Sequence, residues 1–211
     1  GPLFNMEGPE LRINGLAGSN GPWGDELVFS GLQQNLGYSL GQFHYETDGY
    51  RENNDLRHDI FSVFANLGIA SGSHVQFEFL DRDTEFGDLR LQFDPQAFDS
   101  NDRRKIDERV VSVSGFHQLS PETSLVGSLS YINRTADSQI DDRGTVPGFG
   151  QIGLLVDRTS ETDGLDGELQ FIVQQSAFNA VAGLRHLDLE RADTGIQELY
   201  GVTLAPPFFM P

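Results

Sequence analysis

The sequence predicts an all-β fold, an antiparallel up-and-down meander of long amphipathic strands. Apolar and polar residues alternate with period two over many segments, which indicates strands with one apolar and one polar face. The composition is rich in glycine (24 residues) and phenylalanine (16) and contains only 2 methionines, which favours strands over helices. Short turns and long polar segments also alternate along the chain, as expected when successive strands reverse direction.

Charge and composition exclude several classes of function. The chain has 14 Lys and Arg against 32 Asp and Glu, a net charge of -18, which argues against binding a nucleic-acid backbone or an anionic inner-leaflet surface. There is no cysteine, so disulfides, thiolate metal sites and cysteine nucleophiles are absent. No apolar run approaches the ~18–20 residues of a membrane helix, but a barrel strand needs only ~9–11 alternating residues.

The longest alternating stretch, His74 to Phe93, decides the architecture. Apolar side chains occupy both ends of its odd register and stay in phase throughout. It is either one long strand or a hairpin that folds back near Asp83 and Thr84. Read as one strand, it makes the connections alternate strictly, with short turns near residues 34, 72, 121 and 176. The long polar segments then lie at 19–26, 47–57, 94–108, 133–161 and 192–211.

This reading predicts nine strands. They lie at roughly 10–18, 25–33, 36–46, 57–70, 74–93, 106–119, 123–135, 161–174 and 178–191. Alternating short and long connections are typical of bacterial outer-membrane barrels, which have even strand numbers. Nine strands would leave an open edge in lipid, so we expect part of a larger transmembrane β-barrel. Residues 1–9 are then a lead-in, 10–191 a barrel segment, and 192–211 an extracellular loop or tail.

Two stretches also resemble a known family. They are LGQFHYETDGYRENND (Leu40–Asp55) and FDPQAFDSNDRR (Phe93–Arg104), which resemble the C-terminal barrel segments of large bacterial outer-membrane proteins with N-terminal tetratricopeptide repeats. Those barrels are similar to TonB-dependent receptors. The turn LSPETS (Leu119–Ser124) is common to receptor-like barrels generally. The resemblance covers most of residues 10–191 and implies a bacterial outer-membrane location and a role in passage across, or display on, that membrane. It carries over no catalytic residue.

The faces of the strands predict their surroundings. Odd-phase apolar residues would meet lipid, and even-phase polar residues would line a lumen. The residues predicted to face lipid are Phe61, Val63, Leu67, Val75, Phe77, Phe79, Leu89, Leu91, Leu129, Tyr131, Leu169 and Phe171. Outer-membrane lipid and lipopolysaccharide are the implied partners, together with the rest of the barrel or other chains at open strand edges. The same alternation would also fit the core of a soluble β-sandwich.

One loop carries a possible cation site. Asp48, Asn53, Asn54 and Asp55 are crowded oxygen donors of the hard kind that Ca²⁺ prefers, although their spacing does not match an EF-hand loop. The alternative is an ordinary polar surface loop. No other cofactor is implied. The GxSxG, HExxH, P-loop and GxGxxG motifs are all missing, and the five histidines have no ligand spacing, so we expect no enzymatic activity.

The leading hypothesis is therefore an outer-membrane barrel segment that acts as a channel, receptor or secretion conduit. The substrate is not indicated by any motif. One alternative is a structural or adhesive surface protein that assembles through open strand edges. Another is a soluble, acidic β-sandwich that binds carbohydrate with calcium.

Overall fold

The structure, a computed structural model, describes residues 7–19, 21–90, 98–146 and 150–201. These residues form one antiparallel sheet in which the nine strands lie in the order of the sequence. The strands are β1 (Gly8–Ala17), β2 (Trp23–Gln33), β3 (Leu36–Thr47), β4 (Leu56–Ala70), β5 (Ser73–Phe86), β6 (Arg103–Ser120), β7 (Thr123–Val146), β8 (Gly150–Gln174) and β9 (Asn179–Tyr200). The predicted all-β meander is confirmed. Within the described ranges there is no helix long and apolar enough to cross a membrane.

The predicted short turns all lie at one end of the sheet. Strands β2 and β3 are joined by residues 34–35, β4 and β5 by 71–72, β6 and β7 by 121–122, and β8 and β9 by 175–178. Gly72 has φ 72°, which a side chain rarely adopts, and this allows the tight reversal into β5. The connections at the opposite end include residues 18–22, 48–55 and 87–102. We call the two ends of the sheet the turn end and the loop end.

Strand β5 passes straight through Asp83 and Thr84. Asp83 is paired with Asp59 on β4 and Asp107 on β6, so there is no hairpin at this point. The strand ends at Phe86, however, and the predicted end at Phe93 is wrong. Beyond Phe86 the backbone N–H of residue 88 bonds to the carbonyl of Asn53, so the chain leaves the sheet to join the β3–β4 connection. Residues 91–93 lie outside the described ranges.

Strands β7 and β8 are much longer than the sequence predicts. Residues 133–161 were expected to form a loop, but the ladder runs without interruption from Thr123 and Val173 to Val146 and Gly150. Strand β9 likewise continues through residues 192–200, which were expected in a loop or tail. The predicted loops were wrong because strands were identified only where the sequence shows one apolar face. Where most residues on both faces are polar, backbone pairing extends a strand while the period-two hydrophobic signal is weak.

The register defines two faces. The first carries the odd residues of β1, β2 and β4–β8 and the even residues of β3 and β9, because directly paired residues share a side. We call this the apolar face and the other the polar face. Among the described residues no hydrophobic side chain is buried, and no second sheet covers either face. The β-sandwich alternative requires two facing sheets and so does not match this architecture.

Candidate functional site

Large hydrophobic side chains form a band on the apolar face at the turn end of the sheet. One row of paired residues across it is Leu36, Leu67, Val75, Gly115, Gly127 and Leu169. The next row towards the loop end includes Tyr38, Ala65, Phe77, Val113 and Leu129. Many of these side chains are exposed; Phe77 keeps 39% and Leu129 52% of its accessible surface. Such a large exposed apolar area marks an interaction surface.

Ten of the twelve residues predicted to face lipid lie on this apolar face. They are Phe61, Val63, Leu67, Val75, Phe77, Phe79, Leu129, Tyr131, Leu169 and Phe171. Leu89 differs, because it follows the end of β5 and belongs to the β5–β6 connection. Leu91 lies outside the described residues. Contact of the ten with lipid stays a prediction.

The apolar band ends sharply towards the loop end. A single row of paired residues contains Phe61, Asp81, Arg109, Asn133 and Asp163, and mostly charged and polar residues continue beyond it. From Phe61 to residue 69 strand β4 rises ~26 Å at ~3.3 Å per residue. These nine residues reach the lower end of the ~9–11 residues that a tilted barrel strand needs to cross the bilayer core.

Two aromatic residues with polar atoms lie on either side of this boundary: Tyr131 is two residues inside the boundary row, and Trp23 is four residues beyond Leu27, the β2 member of that row. The Tyr131 hydroxyl donates to Asp163 at 2.8 Å, and the Trp23 indole N–H donates to Glu46. Aromatic rings with an apolar body and a polar tip are the side chains enriched at membrane interfaces. Trp23 also packs against the ring of His44, with centroids 4.3 Å apart; the tryptophan is 44% exposed, whereas the histidine is buried. The sequence prediction included Tyr131 but missed Trp23, which follows a proline in a predicted loop.

Opposite the apolar band, on the other side of the same strands, the polar face carries mainly small and polar residues. Serines and polar side chains lie opposite one another there, for example Ser112 and Ser130, whose hydroxyls are 2.8 Å apart. Ser114 pairs with Gln76 and Ser128. Nearer the loop end one row is apolar, with Leu80, Val110 and Ile132 in adjacent strands. The polar face is therefore suited to water, with an apolar strip across its middle.

The most buried side chain in the described ranges belongs to Asp88, at the loop end. Its Oδ1 accepts hydrogen bonds from the Arg90 backbone N–H at 3.0 Å and from Arg90 Nε at 2.9 Å. Its Oδ2 accepts one from the Asp99 backbone N–H at 3.0 Å and lies 3.4 Å from Arg51 Nη1. Although burial raises the pKa of Asp88, these hydrogen bonds hold that pKa well below its ordinary value.

The backbone of Asp88 ties two connections together. Its carbonyl accepts from Arg51 Nη2 at 3.0 Å and from Asn54 Nδ2 at 2.8 Å, and its N–H donates to the Asn53 carbonyl at 2.6 Å. Asn53 Nδ2 in turn donates to the carbonyl of Asp99 at 2.6 Å. We call residues 48–55, 87–90 and 98–102 the loop cluster. Fully hydrogen-bonded buried groups of this kind hold a connection in one conformation.

The predicted cation ligands lie within or beside this cluster. The side-chain amides of Asn53 and Asn54 act as donors to backbone carbonyls, and the Asp55 carboxylate accepts from Arg103 at 2.8 and 2.6 Å. Asp48 lies beside Gly21. In the described parts of the chain no group of three or more His, Asp or Glu side chains is arranged to hold a metal ion. Three of the four residues thus have protein partners, and calcium binding here stays a prediction.

Comparison with known proteins identifies the fold. No family model matches the sequence, and no curated protein matches it. The structure is similar to BauA, the ferric preacinetobactin receptor from Acinetobacter baumannii, with a TM-score of 0.78, 10% identity and coverage of 98% of this chain and 35% of that chain. It is also similar to the ferric citrate transporter FecA in the unliganded form, with a TM-score of 0.61, 13% identity and coverage of 96% and 31%.

At these identities the similarity shows the fold alone. The sheet has the fold of a strand meander in outer-membrane receptor barrels, as predicted from the alternating turns and loops. The chain spans about a third of the length of both solved structures. Tetratricopeptide repeats, suggested by the sequence resemblance, have no counterpart in these comparisons and stay a prediction.

Proposed function

We propose that this chain forms part of the wall of a larger barrel in the bacterial outer membrane, acting as a channel, receptor or secretion conduit without enzymatic activity. The apolar band is the observation that carries this proposal. It is continuous over neighbouring strands, extends over about as many residues per strand as a tilted barrel strand needs to cross a bilayer, and lies on one face only. The apolar face then meets outer-membrane lipid and lipopolysaccharide, and the polar face lines the lumen.

The ends of the sheet support the same assignment. The short turns correspond to the periplasmic side and the loop cluster to the extracellular side, since outer-membrane barrels have short turns inside and long loops outside. Strands β7 and β8 rise far beyond the band, because Asn133 to Val146 adds ~40 Å of ladder at ~3.3 Å per residue. We infer that β7–β9 form a tall extracellular part of the wall.

The strand edges require partners. In the described structure β1 pairs with β2 alone, and β9 with β8 alone, so two ladders of backbone groups have no strand beside them. Unpaired backbone groups cost several kcal/mol each in lipid. We therefore infer that further strands of the same barrel, or other chains, pair with β1 and β9.

Site-directed spin labelling tests the assignment of the faces. The chain has no cysteine, so single cysteines can be introduced cleanly. In the protein reconstituted into bilayers, we expect a nitroxide at Val113→Cys to collide mainly with oxygen, which concentrates in lipid. A nitroxide at the adjacent Ser114→Cys should collide mainly with a water-soluble nickel chelate. Equal exposure of both labels to the chelate would contradict the proposal, as would a monomer that stays soluble without detergent.

A second function deserves a test because strand β9 is exposed along its length and pairs on one side only. Such an edge could join copies of this chain into fibres, as a structural or adhesive surface protein would require. Electron microscopy without detergent distinguishes the two proposals. Filaments would favour edge-to-edge assembly, and particles that appear only in detergent micelles would favour the barrel wall.

A further inference from the structure

We propose that the polar face carries a binding site for oxyanions near the loop end. It is formed by five arginines, one on each of the five consecutive strands β5–β9. They are Arg82, Arg104, Arg134, Arg158 and Arg191. The inference rests on the proposed function, because the polar face lines a lumen only if the apolar face meets lipid. It goes beyond that function by assigning a chemical class of ligand.

The register places these arginines in two parallel rows. One row crosses five strands in the order Arg82, Glu108, Arg134, Thr162 and Arg191. The other row lies four residues further towards the loop end and contains Phe86, Arg104, Ser138 and Arg158. Neighbouring strands lie ~4.8 Å apart and the two rows ~13 Å apart along the strands, so the five arginines share one patch of the polar face.

The five arginines pair with three carboxylates, two of which are each shared by two arginines. Glu108 lies between Arg82, which donates to it, and Arg134, whose Nε is 3.8 Å away. Asp193 is similarly shared; its Oδ1 is 2.8 Å from Arg158 Nη2, and its Oδ2 is 3.3 Å from Arg191 Nε.

Asp102, whose side chain is 5% exposed, pairs with Arg104 at 3.2 Å. Glu108 and Asp193 thus each hold two guanidinium groups in place, and each leaves one positive charge uncompensated. The guanidinium groups keep part of their surface open, from 39% of the side chain for Arg82 to 55% for Arg191.

Between the apolar band and the loop end, the two faces of β5–β9 carry net charges of opposite sign. On the apolar face of β5–β9, beyond the band, the side chains that the structure describes include eleven carboxylates and three basic groups. The carboxylates are Asp81, Asp83, Glu85, Asp107, Asp137, Asp141, Asp157, Glu161, Asp163, Glu190 and Glu198, and the basic residues are Arg103, Lys105 and Arg109. In a chain of net charge -18, the arginines are therefore concentrated on the face that would line the lumen.

The residue types indicate the ligand. All five cations are arginine, whose planar guanidinium binds carboxylate and phosphate oxygens with paired N–H donors. Hydroxyl groups lie among them; Ser160, for example, accepts from Arg191 Nε at 3.1 Å. A patch with a net positive charge in a low-dielectric wall also raises the local concentration of anions. We infer a small solute with two or more carboxylate or phosphate groups.

Calorimetric titration of the whole protein in detergent at low ionic strength tests this site. The probes are tricarballylate for carboxylates and inorganic pyrophosphate for phosphates, with spermidine as the cationic control. We expect at least one of the two anions to bind. Arg134→Gln should weaken the affinity for that anion at least about tenfold, because it removes charge-assisted hydrogen bonds. The same substitution should not weaken any binding of spermidine. Arg109→Gln changes the net charge equally but lies on the apolar face. It should change the affinity less than about twofold, since exposed distant charges are screened.

Two further variants separate binding from folding. Glu108→Gln removes the shared carboxylate and frees both neighbouring arginines, so we expect tighter anion binding, which loss of structure would not produce. Arg134→Lys keeps the charge but loses the planar pair of donors, so its affinity should lie between those of the parent and Arg134→Gln. The relative affinity for tricarballylate and pyrophosphate distinguishes carboxylate from phosphate ligands.

The site is disproved if neither anion binds, or if Arg109→Gln and Arg134→Gln weaken binding equally. The spin labels at positions 113 and 114 keep this outcome distinct from failure of the proposed function. If those labels report lipid on one face and water on the other while no anion binds, the barrel wall stands and the oxyanion site fails. If the labels contradict the faces, the proposed function itself fails.

Discussion

The apolar band and the loop cluster distribute polarity in opposite ways. In the band, Phe77 and Leu129 are 39% and 52% exposed, and no hydrophobic side chain of the described chain is buried. In the loop cluster the Asp88 carboxylate is completely buried and the Asn54 side chain nearly so. A water-soluble domain usually shows the reverse, with apolar side chains inside and charges outside.

This difference indicates that the two regions are stabilised by different means. Burying apolar surface contributes about 25 cal/mol per Å², so the band gains stability only when lipid or another apolar surface covers it. The loop cluster needs no such cover, because its buried charge is surrounded by donors. Charge-assisted hydrogen bonds are about twice as strong as neutral ones in this setting. The following substitutions test each region separately, from the largest expected effect to the smallest.

The largest effect is expected for Asp88→Ala. It leaves the donors of Arg90, Arg51 and the Asp99 backbone without their acceptor, and breaking a buried charge network costs about 3–5 kcal/mol. Hydrogen exchange should show faster exchange in residues 48–55, 87–90 and 98–102, with β4 and β7 unchanged. Glu122→Ala, in an exposed turn at the other end of the sheet, is the control. Unchanged exchange in the loops would mean that Asp88 does not hold them.

The band is tested by adjacent substitutions with opposite surroundings. Val113→Arg places a charge in the middle of the band and should cost ~2–4 kcal/mol of unfolding free energy in a bilayer. Ser114→Arg, one residue further on the polar face, should cost less than about 1 kcal/mol because its side chain stays in water. Denaturant unfolding of the protein in lipid vesicles measures both. Similar losses from both substitutions would show that the two faces have the same environment.

A smaller effect is expected from a glycine in the loop cluster. Gly49 has φ 75°, and an added Cβ would overlap the carbonyl oxygen of Asn54, so Gly49→Ala should cost about 1–3 kcal/mol. At Gly115, in the band, the nearest atom to an added Cβ is the His74 carbonyl oxygen at 3.8 Å. Gly115→Ala should therefore be tolerated. Thermal unfolding curves of the two variants provide the comparison, and an equal loss of stability would contradict it.

The smallest effect is expected from pH near neutrality. The pKa of Asp88 is lowered in the folded protein, so its contribution is complete above the unfolded pKa of about 3.9 and is lost as pH falls further towards the folded value. Hydrogen exchange of the loop cluster should therefore be the same at pH 7 and pH 5 after correction for the intrinsic rate. The protection should begin to fall below pH 4. Loss of protection between pH 7 and pH 5 would exclude Asp88 as its source.

Calcium binding by the β3–β4 connection remains open to a direct test. A cation held by Asp55 should raise the unfolding temperature on addition of CaCl₂, and Asp55→Ala should abolish that rise. The structure favours the opposite result, because the Asp55 carboxylate is engaged by Arg103 at 2.6 Å. Scanning calorimetry with and without CaCl₂ decides between a cation ligand and an ion pair.

Several elements could be predicted from the sequence because their signals are local. Period-two alternation in Phe61–Ile69 and Val75–Phe79 identifies strands and assigns their faces, and Ser71–Gly72 marks the reversal between them. The same reasoning failed for residues 133–161, where most residues are polar and Pro147 interrupts the pattern. It also placed the end of β5 at Phe93, because alternation continues in sequence after Phe86 while the backbone turns towards Asn53.

The sequence by itself determined an acidic, all-β meander with one apolar face, since alternation, turn residues and charge are properties of neighbouring positions. Only the tertiary structure decided which charges meet. Asp88 finds its partners at Arg51 and Asp99, and the arginines of β5–β9 come together because the register aligns five strands. Such contacts depend on pairing between distant segments, and a shift of one residue would turn every side chain to the other face.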